Sequence, residues 1–249
     1  LIDAARQFVS NADVDQLSFS QLRDLLLDVN PLNVEHVKSV NTAEAQFWRN
    51  AAGSRVDDSV NILGFDCGGQ QWVLEVCFPI GNLNETAGAD MEFISELLEV
   101  IKKHNIPAPA PIEQRWTASS TSPLSPAYSS DPSQKFSWVG IIMYMPPNQT
   151  EDQREQITRA FEKYSDQIQP LLQKYGAKIH WAKVEARDHD LARLQATLDS
   201  QYDLQTLRDL QLRFDPYLIL SNAATENMFK FKRASHSTTG LQLVSSKKA

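Results

Sequence analysis

The sequence predicts an α+β domain, an antiparallel or mixed sheet covered on one face by helices. Three observations predict it. Residues 71–78 alternate Trp72, Leu74, Val76 and Phe78 with Val73, Glu75 and Cys77, the period of a half-buried strand. Other stretches repeat apolar residues at i, i+3, i+4 and i+7, the period of a helix with one buried stripe. The longest apolar run, Trp138 to Met145, suits one buried strand and falls far short of the roughly 18 residues that a membrane span needs.

The elements follow in chain order. A helix over 21–28 carries Leu22, Leu25, Leu26 and Val29 on one stripe, and Asn30-Pro31 stops it. A second helix is expected over 33–52, with Asn41 and Glu44 as a capping pair and Gly53 at its end. The 71–78 strand follows a Gly68-Gly69 turn. Residues 90–103 are helical, with Ile94, Leu97, Leu98 and Ile101 on one face and two lysines at the C-terminal end, where the helix dipole favours cations. Residues 106–111, Ile-Pro-Ala-Pro-Ala-Pro, are stiff and extended and lead into a strand over 112–118. A Ser/Pro-rich loop over 119–134 is too long for a plain hairpin and is expected to be mobile or functional.

A strand over 136–145 ends at Pro146-Pro147. A long helix then starts near Thr150, with Gln153 as its capping partner and Ile157, Phe161, Tyr164 and Ile168 facing inward. Gly176 ends it, residues 178–185 read as a fourth strand, and helical stretches at 191–198 and 204–212 lead to Asp215-Pro216. The remainder from Lys230 looks like a polar tail.

Composition excludes several functions. With 42% hydrophobic and 22% charged residues, the 249-residue chain is globular in type, and its net charge of -7 argues against a nucleic-acid partner. Only two cysteines occur, Cys67 and Cys77, which rules out a disulfide scaffold; they are expected to be unbridged. The five histidines lack metal-pair spacing on a helix, so no metal site is expected. Nine glycines are about half the usual frequency of roughly 7%. No G-x-G-x-x-G, G-x-x-x-x-G-K or G-x-S-x-G occurs, so no phosphate-cradling loop or nucleophile elbow is expected. The chain starts at Leu1, and a processed or truncated product is expected.

Two segments carry chemistry that a core does not need. In Glu113-Gln114-Arg115 the carboxylate and guanidinium share one face of a strand, with Thr117 next in line. Such a pair is either a surface ion pair or a substrate clamp, in which Arg donates to oxygen atoms and Glu accepts from hydroxyls. The motif alone does not decide. His180-Trp181-Ala182-Lys183 reads as an amphipathic strand, with a structural His180 and a solvated Lys183 as the plainer alternative. Regular pleating places His180 and Lys183 on opposite faces.

Longer stretches carry a resemblance. They include Leu17-Ser-Phe-Ser-Gln-Leu-Arg23, Leu63-Gly-Phe-Asp-Cys-Gly-Gly-Gln-Gln-Trp-Val73, Ile106 through Ile-Glu-Gln-Arg-Trp-Thr-Ala118, Phe136-Ser-Trp-Val-Gly-Ile-Ile-Met-Tyr144 and His180-Trp-Ala-Lys183. Residues 17–229 thereby resemble the C-terminal half of the plant-type L-galactono-1,4-lactone dehydrogenases, flavoenzymes of the vanillyl-alcohol oxidase family that make ascorbate. The resemblance implies that residues 1–231 are the C-terminal part of a cap (substrate) domain, that 232–249 are a tail, and that the FAD-binding domain is absent from this chain. It implies Glu113 and Arg115 as catalytic and substrate-binding residues, with Glu113 also fixing Arg115. It implies Lys183 at the flavin and the substrate, and His180 as a lesser substrate-binding candidate. The family's D-P-N-R-I-L-S-N stands here as Asp215-Pro-Tyr-Leu-Ile-Leu-Ser-Asn222, without the arginine.

Further implications concern cofactor and partners. FAD would be held mainly outside this chain, by an N-terminal half packed against the open sheet. The substrate would be an aldonolactone, the electron acceptor cytochrome c, and the location the mitochondrial inner membrane. The alternative is a non-catalytic structural subunit or assembly factor of respiratory complex I.

Overall fold

The protein is described by a computed structural model that covers residues 1–8, 14–51, 53–54, 56, 58, 70–82, 84–86, 88–146, 148–184 and 190–234. The expected Gly68-Gly69 turn, Cys67, His189, His236, Pro147 and the tail from 235 onward lie outside these residues. The described chain forms two compact units, one of residues 1–121 and 125–184, the other of residues 122–124 and 185–249.

In the first unit, helices α1 (Ile2–Phe8), α2 (Phe19–Val29) and α3 (Val34–Asn50) precede strand β1 (Gln71–Asn82). Strand β2 (Glu85–Thr86), helix α4 (Ala89–Lys103) and strands β3 (Glu113–Ala118) and β4 (Gln134–Tyr144) follow. Helices α5 (Glu151–Gln167) and α6 (Gln169–Lys174) and strand β5 (Lys178–Ile179) complete it. All pairings between these strands are antiparallel, in the order β2-β1-β4-β3, with β5 also on β1. The sheet was thus legible as a class, and β3 is its edge.

One face of the sheet is the main helix-packed face. Trp72 stacks on Phe161 of α5, and its indole N–H donates to Thr158 Oγ1 at 2.9 Å. Phe78 stacks on Phe93 of α4 at 4.5 Å between ring centroids. Ile157, Phe161, Tyr164 and Ile168 are all buried, as their spacing predicts, and each such side chain contributes about 1.5–3 kcal/mol on leaving water. Thr150 and Gln153 form a capping box that starts α5. Gly176, at φ 59°, supplies the left-handed residue that turns the chain out of α6.

The opposite face is divided. At one end Ile142 and Tyr144 join Leu22, Leu26, Leu27, Val37 and Val40 in a core under α1–α3. At the other end Ala127 of the 119–134 loop packs with Cys77, Phe136 and Trp138. Backbone bonds hold that loop, among them Ser120 N–H to Ala127 O at 2.9 Å. Between the two caps a polar window remains on the sheet.

Two local expectations are corrected. Asn41 and Glu44 do not cap a helix, because α3 begins earlier, at an Asn33 N-cap whose side chain accepts from His36 N–H. Asn41 instead lies within α3 and clamps the proline-rich segment: its Nδ2 donates to Ala108 O, and its Oδ1 accepts from Ala110 N–H, both at 2.9 Å. Nor is there a strand over 178–185. Pairing stops at Ile179, and Trp181–Lys183 curl into a 3₁₀ turn capped by the His180 side chain, which competes for backbone donors that a strand would use.

In the second unit, helices α7 (Leu191–Gln201), α8 (Leu204–Phe214) and α9 (Ala223–Phe229) bury Leu194, Leu198, Leu204 and Phe229. Asp203 and Asn222 cap α8 and α9. The Asp215 carboxylate accepts from the backbone N–H groups of Ile219 and Leu220 at 2.7 and 2.9 Å, so the aspartate of the Asp215–Asn222 motif shapes its own turn.

Candidate functional site

The pleat and register of three strands set the window. Glu75 on β1, Gly140 on β4 and Glu113 on β3 stand in one row across the sheet. Cys77, Trp138 and Arg115 form the next row. Residues two apart share a face, so both rows face the same side.

Arg115 does not pair with Glu113 as the sequence motif suggests. Its Nε donates to Glu75 Oε1 at 2.7 Å, reaching diagonally over β4. A Cβ at Gly140 would lie 3.6 Å from Glu113 Cβ and 3.7 Å from Glu113 Oε2, which is ordinary contact, so the glycine leaves room beside Glu113 rather than adopting a special conformation. The guanidinium carbon also sits 4.0 Å from the centroid of the Trp138 ring, and the Trp138 indole donates to Thr117 Oγ1 at 2.8 Å. Two constraints therefore fix the arginine, one in its plane and one across it.

His180 and Lys183 meet at the same carboxylate. Their positions correct the opposite-face expectation, since the 3₁₀ turn replaces the pleat. Glu75 Oε2 lies 3.9 Å from His180 Nε2 and 3.6 Å from Lys183 Nζ. His180 Nδ1 accepts from Ala182 N–H at 3.3 Å, which assigns the ring proton to Nε2, on the side of Glu75. The Glu113 carboxylate, by contrast, is exposed and has no hydrogen-bond or ion-pair partner among the described residues.

Electrostatics follow from burial and these contacts. The Glu75 side chain is only 5% exposed, against 49% for Arg115 and 43% for Lys183. Burial pushes the Glu75 carboxyl upward, but the Arg115 hydrogen bond and the charges of Arg115, Lys183 and His180 outweigh it and hold the group below its ordinary value. Burial also lowers His180; Glu75 opposes that shift, and Lys183 and Arg115 add to it. The thiol of Cys77, free and buried beside this cluster, is pushed up to about 12 by burial, which keeps it protonated and unreactive.

Sequence reasoning named Glu113, Arg115, His180 and Lys183 as candidates but not Glu75, Trp138 or Gly140. The signal for Glu75 was available: it is a carboxylate flanked on its face of the strand by the apolar Val73 and Cys77. Chemically, the window presents two half-exposed cations and one exposed carboxylate, an arrangement that can bind a small molecule rich in hydroxyl and carbonyl oxygens.

The half-covered antiparallel sheet with its polar window is of the α+β class that the sequence predicts. The chain belongs to the D-arabinono-1,4-lactone oxidase family, whose sequence model matches residues 9–228. It is 48% identical over 230 residues to L-galactono-1,4-lactone dehydrogenase 1, mitochondrial, of Oryza sativa subsp. japonica, an alignment covering 91% of this chain and 39% of that relative. It is also 48% identical over 223 residues to the mitochondrial L-galactono-1,4-lactone dehydrogenase of Arabidopsis thaliana, covering 88% of this chain and 36% of that relative. The chain therefore spans about two fifths of the length of these curated relatives, in their C-terminal part. The resemblance carried by the sequence motifs is borne out.

Proposed function

We propose that residues 1–231 form the C-terminal part of the cap (substrate) domain of an FAD-dependent L-galactono-1,4-lactone dehydrogenase, followed by a tail over 232–249. The observation that carries this is the convergence of Arg115, Lys183 and Glu113 on one open window of the sheet, in a chain of this family.

The residues present fit the ring end of a flavin rather than its pyrophosphate. Lys183 and Arg115 offer exposed donors beside a buried carboxylate, suited to the oxygen-bearing edge of an isoalloxazine ring and to a lactone lying on it. The sequence supplies no phosphate loop, so the nucleotide end of FAD belongs to an N-terminal FAD-binding half. When bound, FAD supplies the acceptor for a hydride leaving a ring carbon of the aldonolactone.

This chain's residues bind and orient. The terminal nitrogens of Arg115 have no partner among the described residues and donate to the lactone oxygens, where they stabilise negative charge as it develops. The Glu113 carboxylate accepts from a substrate hydroxyl. Lys183 Nζ would donate to the substrate and to the flavin, while His180 turns Nε2 to Glu75 and borders the window.

Electrons would pass from the flavin to cytochrome c at the mitochondrial inner membrane. The net charge of -7 complements a basic acceptor, and the relatives are named as mitochondrial. No helix among the described residues is long and apolar enough to cross a membrane. The alternative role as a non-catalytic complex I subunit has no support in the described residues or in the names of the relatives. The test is to join the chain to the FAD-binding half of a relative and add L-galactono-1,4-lactone. Bleaching of the flavin and reduction of cytochrome c are expected. A flavin-loaded complex that no aldonolactone reduces overturns the assignment.

A further inference from the structure

We propose that Glu75 is the positioning residue of the site, the single carboxylate that orients Arg115 and holds Lys183 and His180 around the substrate. This rests on the function proposed above. Glu75 is almost fully buried, and a carboxylate that leaves water needs compensation from charges and donors. That compensation comes from separate parts of the chain: Arg115 on the edge strand β3, and His180 and Lys183 on the turn after β5.

The pattern of bonds distinguishes positioning from plain structural pairing. Glu75 Oε1 takes the Arg115 Nε hydrogen, and neither terminal nitrogen of the guanidinium has a hydrogen-bond partner among the described residues. Trp138 fixes the plane of the same group from below. Glu75 Oε2 is buried and has no hydrogen-bond partner among the described residues, yet it lies within ion-pair distance of Lys183 Nζ. The ammonium is thus held by charge at 3.6 Å while its hydrogens stay available to a ligand. A carboxylate serving only the fold would be expected to have both oxygens satisfied. Displacing reacting groups by about 1 Å can cost on the order of 100-fold in rate, so the precision of this anchor has catalytic weight.

The experiment uses the flavin-loaded complex of this chain with its FAD-binding half. Glu75→Gln removes the charge and Glu75→Asp withdraws it by about one carbon–carbon bond, ~1.5 Å. Both are expected to raise the KM for the lactone on the order of tenfold, with a smaller fall in kcat and unchanged flavin content. Arg115→Lys lacks the Nε anchor, so adding Glu75→Gln to it should cost less than the product of the two single losses, what remains being the hold on Lys183 and His180. A KM unchanged in both Glu75 variants, or losses that simply multiply in the double variant, overturns the positioning role. An NMR titration of His180 provides a readout that does not depend on turnover: removing the Glu75 charge should move its midpoint to lower pH, and an unmoved midpoint also counts against the proposal. Failure of the parent complex to oxidise any aldonolactone rejects the proposed function instead, and the His180 titration still reports on Glu75.

Discussion

Arg115 Nε donates to Glu75 Oε1 across the whole width of strand β4. The bond joins an edge strand to an inner strand without a direct backbone pairing between them, and it turns a surface guanidinium into a fixed one. Under the proposed function it also couples stability to activity, because the arginine assigned to the lactone is the one that neutralises a buried carboxylate.

Arg115→Ala should therefore act twice. Turnover of the flavin-loaded complex is expected to fall on the order of 100-fold or more, as with the loss of a preorganised donor. In addition, Glu75 would be left buried with Lys183 as its main counter-charge. A loss of about 1–3 kcal/mol is expected by chemical denaturation. Unchanged stability would show that Glu75 finds another partner.

Gly140 is tested by size. Gly140→Ala places a methyl at ordinary contact distance from Glu113 and should change stability by less than about 1 kcal/mol, with activity largely kept. Gly140→Leu adds a bulky side chain against Glu113 in the middle of the window and should lower kcat/KM by at least about tenfold. Equal activity in the two variants would mean that the window does not need the gap.

The fold class and most of the helix and strand positions were legible because apolar periodicity reports which face of an element is buried. Trp72, Leu74, Val76 and Phe78 identified β1, and Ile157, Phe161 and Tyr164 identified α5. What periodicity does not report is lateral register. The partner of Arg115 is set by which β1 residue faces Gly140, a relation between residues 65 positions apart in the chain, so the adjacent Glu113 was the natural but mistaken choice. His180 and Lys183 were misplaced for a local reason: a histidine side chain capping a 3₁₀ turn looks, in sequence, like one more polar residue of a strand.

Asn41 shows the same limit within a helix. Its amide makes both a donor and an acceptor bond to the backbone at Ala108 and Ala110, just ahead of β3. Asn41→Leu leaves two backbone groups without those partners and should cost about 1–3 kcal/mol. Thr42→Ala, on the exposed side of the same helix, serves as the control and should stay within about 0.5 kcal/mol. Equal effects in a denaturant titration would remove the clamp from the account of how β3 is held.

Acid sensitivity is the last expectation, and it has two windows. The folded value of His180 lies below its ordinary 6.5, because burial disfavours the imidazolium and Lys183 and Arg115 repel it. As pH falls through about 6.5 the unfolded chain therefore binds a proton that the folded chain resists, and stability declines. Above that range His180 is neutral in both states and contributes no slope. Glu75 acts lower: its folded value is below the ordinary 4.5, so its stabilisation is present above that pH and is lost as pH falls through the folded value. Melting temperatures measured from pH 5 to pH 8 should thus fall less on acidification in His180→Gln than in the parent chain. The other histidines are common to both proteins and cancel in the comparison. Identical slopes would mean that His180 keeps an ordinary affinity for its proton and that the charges around Glu75 do not reach it.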